Sequence, residues 1–141
     1  MDEKTLNQET ASFVERPWGN YFKLFQEPGV WLKRVQVKPG ARLSLQKHLK
    51  RTEKWIVVAG KGVAIVSDKE IPVGPGSVVD VPVEAVHRIC NTGDQNLVVI
   101  EVATGSYLSE NDIIRLQDDY NRKVILCEDA KEGYRASCGI C

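Results

Sequence analysis

The chain has 141 residues, of which 43% are apolar and 27% charged, and its 19 Lys+Arg are balanced by 19 Asp+Glu. That length and apolar content support one domain with a core of its own, and the zero formal net charge argues against a nucleic-acid polymer as partner. The longest apolar runs, such as Trp55–Ala59 and Leu97–Ile100, fall far short of the ~20 residues a membrane helix needs, so no membrane partner is expected.

The opening MDEKTLNQET is polar and lacks the pattern of a signal peptide, which reads as a cytoplasmic protein. Residues 1–14 read as a loosely docked arm. From Tyr21 onward the pattern predicts short strands at Tyr21–Gln26, Val30–Lys38, Leu43–His48, Lys54–Ala59 and Gly62–Ser67. Further strands are expected at Lys69–Val73, Ser77–Val81, Val86–Asn91 and Asn96–Thr104. Turn signals separate them, among them Glu27-Pro28-Gly29, Pro39-Gly40, Gly60-Lys61-Gly62 and Gly74-Pro75-Gly76. Short strands at this spacing indicate an all-β sandwich or barrel. Ser109 with Asp112 three residues on, ahead of Ile113, Ile114 and Leu116, predicts one short C-terminal helix within Ser109–Tyr120.

Three of the four cysteines, Cys127, Cys138 and Cys141, crowd the last fifteen residues, a poor distribution for a disulfide framework. Cys138-Gly-Ile-Cys141 reads as a redox pair, as half of a zinc site, or as two reduced thiols in a tail. Cys90 reads as a small core residue. Trp18, Trp31 and Trp55 are candidates for stacking on a sugar or for packing in the barrel wall.

The richest stretch runs from Pro39 to Trp55. In an extended strand Ser44, Gln46, His48 and Lys50 share one face, while Leu43, Leu45 and Leu49 share the other. Such a polar row is either the solvent face of a sheet or the lining of a pocket for something polar. The second histidine, His87, falls in Gly76–Asn91 after the Pro82 turn. Two imidazoles on separate strands, with carboxylate or amide oxygens nearby, suit a borderline divalent metal.

Gly40…His48-x-Lys50-x-x-Glu53…Gly60, followed by Gly76-x5-Pro82…His87-x3-Asn91, resembles the two motifs of the cupin superfamily. Glu15-Arg-Pro-Trp-Gly19, Lys38–Gln46, Arg51-x-Glu53-x-Trp55, Gly105–Leu108, Asp112–Arg115 and Asp119–Arg122 resemble the isomerase domain of type II phosphomannose isomerases. The resemblance implies a double-stranded β-helix (jelly-roll) barrel spanning 15–122, with a tail at 123–141, and a stand-alone domain that forms a homodimer. It implies a divalent ion, zinc or a similar metal, on Gln46, His48, Glu53 and His87. The implied reaction interconverts mannose 6-phosphate and fructose 6-phosphate, a small sugar phosphate being the partner. Arg115 carries over as a catalytic residue, and Arg42, Arg51, Lys50 and Lys54 are cations available to the substrate.

Several positions depart from that family's pattern. Lys50 and Lys54 stand where it has imidazoles, Glu84 stands where the cupin motif prefers Gly, and Asn121 replaces a Gly. An ammonium group cannot ligate a metal. Three consequences are open: the metal persists with Lys50 turned to the phosphate, Lys50 serves as a base, or the site binds sugars without metal or catalysis. A cupin acting on another sugar, as epimerase or lyase, is a further alternative.

Overall fold

The computed structural model describes residues 12–120, and within them the chain is all β. Eleven strands follow in order: β1 (Ser12–Arg16), β2 (Gly19–Glu27), β3 (Val30–Val37), β4 (Leu45–Lys47), β5 (Thr52–Ala59), β6 (Gly62–Val66), β7 (Lys69–Val73), β8 (Val78–Val81), β9 (His87–Asn91), β10 (Leu97–Thr104) and β11 (Ile114–Gln117). They form a six-stranded sheet, β1-β2-β3-β10-β5-β8, and a five-stranded sheet, β11-β4-β9-β6-β7. Every pairing is antiparallel.

Alternation sets which residues meet between the sheets. In β3 the buried phase is Trp31, Lys33, Val35 and Val37, and in β5 it is Glu53, Trp55 and Val57. The core joins Trp18, Val35, Val37, Trp55, Val57 and Val99 to Ala64, Val66 and Ile89 from the other sheet. Burying such side chains contributes roughly 1.5–3 kcal/mol each. Among the described residues no helix is long and apolar enough to cross a membrane.

Two elements differ from the sequence expectations. The C-terminal helix is absent: Asp112 N donates to Ser109 O at 3.1 Å, closing a turn, and Ile114–Gln117 then extends as β11 along β4. The edge of β4 offered hydrogen bonds to a whole strand, which outweighed a local capping signal. The expected arm, by contrast, enters the fold by Ser12, since β1 pairs with β2 from Ser12 to Arg16. Residues 1–11, the tail at 123–141 and its cysteines Cys127, Cys138 and Cys141 lie outside the described residues, as does Asn121. Cys90 is buried in the core, as expected of a small core residue.

Glu84 occupies the left-handed region with φ 67°, which explains why glycine is favoured at this motif position. Its amide donates to His48 O at 2.8 Å, clasping the two histidine-bearing segments together. Gly105 is needed for a different reason: a Cβ there would sit 2.4 Å from Lys50 O and press on Arg51.

Candidate metal centre and its pocket

The barrel opens into a pocket of about 390 Å³ whose lining includes Ser44, Gln46, His48, Arg51, Glu53 and Arg115. The polar row is therefore a pocket wall and not a solvent face. It ends at His48, because the Asp112 carboxylate accepts from Leu49 N at 2.9 Å and Lys50 N at 3.0 Å. Successive amides in a strand point to opposite sides, so one carboxylate gripping both bends the chain and turns Lys50 outward.

His48, Glu53 and His87 are all buried, and their ligand atoms lie within 4.8 Å of one another. His48 Nδ1 donates to Asp112 O at 2.7 Å, and His87 Nδ1 donates to Ala85 O at 2.9 Å. A carbonyl only accepts, so each Nδ1 carries the proton and each Nε2 turns to the cluster. Burial lowers the His87 pKa to about 4, leaving the ring neutral at pH 7. Its Nε2 is a buried lone pair with no hydrogen-bond partner. The two imidazole rings stand 4.9 Å apart, with Trp55 edge-on to His87 at 5.6 Å.

Glu53 connects this cluster to the opposite sheet. Its Oε1 accepts from Trp55 Nε1 at 2.9 Å, while Oε2 lies 3.1 Å from His48 Nε2. Burial pushes the Glu53 pKa upward, but contact with His48 and the electrostatics of His87, His48 and Arg51 hold it well below the usual carboxylate range. Arg51 donates from Nε to Glu53 Oε2 at 2.9 Å and from Nη2 to His48 Nε2 at 3.1 Å. Arg51 thus bridges the carboxylate and the imidazole of the cluster. Arg51 is anchored further by Ser109 O at 3.0 Å and lies 4.7 Å over the Trp31 ring.

Two imidazoles turned to the cluster through Nε2 and an ionised carboxylate, with the His87 nitrogen orphaned, fit a divalent cation. His48, Glu53 and His87 would hold it, taking over the atoms that Arg51 now contacts. Gln46 stands in register between His87 on β9 and Arg115 on β11, and its Oε1 accepts from Ser44 Oγ at 3.0 Å.

The sequence-predicted cations divide. Arg51 and Arg115 line the pocket. Arg42 is paired through Nε and Nη2 with Asp119 at 2.8 and 3.0 Å, away from that lining. Lys50 is exposed, its ammonium 5.8 Å from the Tyr107 ring centre, and Lys54 is exposed beside Asp80 at 3.5 Å. Sequence reasoning missed the far wall, where Arg16, Lys33, Glu101 and Glu110 join the lining. The signal was present: Lys33 runs in phase with Trp31, Val35 and Val37, and Glu101 with Leu97, Val99 and Ala103.

Residues 2–118 match the family described as mannose-6-phosphate isomerase C-terminal. The chain belongs to that family. It is 45% identical over 109 residues to the alginate biosynthesis protein AlgA of Pseudomonas aeruginosa, covering 77% of this chain and 23% of AlgA. Over 109 residues it is 38% identical to a mannose-1-phosphate guanylyltransferase of Klebsiella pneumoniae, again 77% of this chain and 23% of the relative. The chain thus spans about a quarter of the length of these curated relatives.

Among solved structures, the capsular polysaccharide assembling protein CapF of Staphylococcus aureus superposes with a TM-score of 0.69 at 26% identity, over 76% of this chain and 34% of CapF. A cupin-2 domain from Rhodospirillum rubrum superposes with a TM-score of 0.60 at 19% identity, over 72% and 78%. The two-sheet barrel of this chain has the cupin fold, as the motif resemblance implied.

Proposed function

We propose that this domain interconverts mannose 6-phosphate and fructose 6-phosphate, an aldose–ketose isomerisation assisted by a divalent metal such as zinc. The observation that carries the reading is the buried His48–Glu53–His87 set, with its orphaned Nε2, beside a polar pocket large enough for a hexose phosphate. Four cations, Arg16, Lys33, Arg51 and Arg115, face three carboxylates, Glu53, Glu101 and Glu110, in the lining. A small phosphate ester suits that excess of positive charge.

When bound, the ion would supply Lewis acidity to the oxygens on C1 and C2 of the sugar. The protein's own groups do the rest. Asp112 O and Ala85 O fix the imidazole tautomers, and Trp55 Nε1 fixes the carboxylate. Arg115 and Arg51 offer guanidinium donors to the phosphate and to the oxyanion that develops as the proton leaves C2. Trp18 and Tyr21 give the pocket an apolar side on which the sugar's C–H groups rest.

A coupled assay on mannose 6-phosphate tests this, paired with metal analysis of the purified protein. Turnover with about one divalent ion per chain is the expected result. Inactivity with zinc, cobalt and manganese each supplied overturns the isomerase. A second reading, a non-catalytic sugar-phosphate-binding cupin, draws on Arg51, whose guanidinium already bonds two of the three ligand residues. Calorimetric binding of mannose 6-phosphate without turnover selects it.

A further inference from the structure

The register of the six-stranded sheet lines up Lys23 on β2, Lys33 on β3, Glu101 on β10 and Trp55 on β5. Directly opposed residues project to the same face, and Trp55 is core, so this row faces the barrel interior. Lys33 is only 4% exposed, with its ammonium 4.3 Å from the centres of both the Tyr21 and Trp31 rings and bonded to Glu110. Glu101 Oε2 accepts from Trp31 Nε1 at 3.0 Å, and the residue lines the same pocket as His48 and Glu53.

A carboxyl on the inward phase of β10, between Val99 and Ala103, is costly to bury. The fold does not require it, since Glu101's inward neighbours along β10 are Val99 and Ala103. Burial and the nearby Glu53 push its pKa up to about 7, with Lys33 and Arg51 pulling the other way. A carboxyl held on the pocket wall by the Trp31 indole can both take a proton and return it.

We propose that Glu101 is the catalytic residue that carries the proton between C2 and C1 of the sugar phosphate, with the indole of Trp31 holding its carboxylate in place. The step balances as follows. The Glu101 carboxylate takes the proton from C2; that C–H electron pair becomes the C1=C2 bond, and the C1=O π pair moves onto O1, giving an enediolate. The O2 proton passes to O1, the resulting O2 lone pair forms C2=O, and the C1=C2 pair takes the proton back from Glu101 at C1. No oxidant or co-reactant is consumed.

The inference rests on the isomerase reading, and the test separates the two. Glu101→Gln keeps the shape and an oxygen to accept from Trp31 but cannot take the proton. In deuterated water the wild-type protein should wash deuterium into the C1–C2 unit of the sugar phosphate. Glu101→Gln should lose at least ~100-fold in both kcat and exchange, with KM and bound metal close to wild type and a melting temperature no lower than wild type. Glu101→Asp, which keeps the acid on a shorter arm, should recover part of the loss. A wild-type chain that exchanges no carbon-bound proton overturns the isomerase reading and this assignment together. Exchange in the wild type with Glu101→Gln within threefold overturns the assignment alone. A Glu101→Gln loss accompanied by lost metal, raised KM or lowered melting temperature also overturns it, because the residue would then be structural.

Discussion

The two walls of the pocket reach polarity by opposite means. On the five-stranded side His87 and the neighbouring His48 are oriented by backbone carbonyls that accept from their Nδ1 atoms, and burial keeps His87 neutral. On the six-stranded side Glu53, Glu101 and Lys33 remain ionisable groups, held by indole N–H donors and aromatic rings. Backbone atoms can only fix a ring's orientation, whereas side-chain neighbours also set how much charge it carries. One wall is therefore built to hold a cation and the other to tune protons, and Glu53 belongs to both.

His87→Ala should have the largest effect on this division. Removing the orphaned Nε2 should strip the metal and lower turnover by on the order of 100-fold or more, while Glu101→Gln leaves metal in place. Elemental analysis alongside kcat reads the difference, and a His87→Ala protein with full metal content would erase the contrast between the walls.

Asp112→Ala comes next. It leaves the Leu49 and Lys50 amides without their acceptor, which should cost about 1–3 kcal/mol of stability. By loosening His48 it should also weaken metal affinity by roughly 10–100-fold. Denaturant midpoints and a competitive metal titration check both, and unchanged affinity would show that His48 does not depend on this clasp.

The walls should also respond to pH in opposite senses. His87 titrates near 4 when folded, below its ordinary 6.5, so the unfolded chain binds the proton first. Metal-free protein should therefore lose stability from this group as pH falls from about 6.5 to about 4. The depressed Glu53 pKa adds to that loss within the carboxylate range. Glu101, raised from 4.5 to about 7, does the reverse: its contribution is intact below 4.5 and is lost as pH rises to 7. Melting curves in chelator should thus be flattened at the acid end by His87→Asn and raised near and above pH 7 by Glu101→Gln. Curves parallel to wild type for both variants would contradict the assignment.

The smallest expected effect is a gain. Glu84→Gly relieves a left-handed non-glycine residue, worth about 0.5–1 kcal/mol after the glycine's own entropy. Its amide bond to His48 O is retained. A fall in melting temperature would mean the Glu84 side chain stabilises the turn by contacts of its own.

Much of this was legible in residue order. Period-two alternation broken by Gly, Pro and Asp marked nine of the strands, and two histidines in separate turn-bounded segments marked the wall with the candidate metal cluster. What escaped was non-local. The Asp112 carboxylate ended the polar row at His48, a contact across more than sixty positions, so Lys50 could not be excluded from the pocket by counting alternate residues. The Ser109–Leu116 segment carried a helix signal that the open edge of β4 overrode. Lys33 and Glu101 sat in the inward phase of their strands, but a charged residue in a strand is commonly read as solvent-facing. Only the register with Trp55 shows which face they occupy.

The placement of the indoles has a practical corollary. The chain has three tryptophans: Trp18 lines the pocket, Trp31 is bonded to Glu101, and Trp55 is bonded to Glu53 and edges onto His87. Its tryptophan fluorescence, excited apart from tyrosine, therefore arises from indoles that line one cavity or bond to its lining. Loading with a quenching ion such as cobalt, or filling with sugar phosphate, can be followed optically on the unlabelled protein.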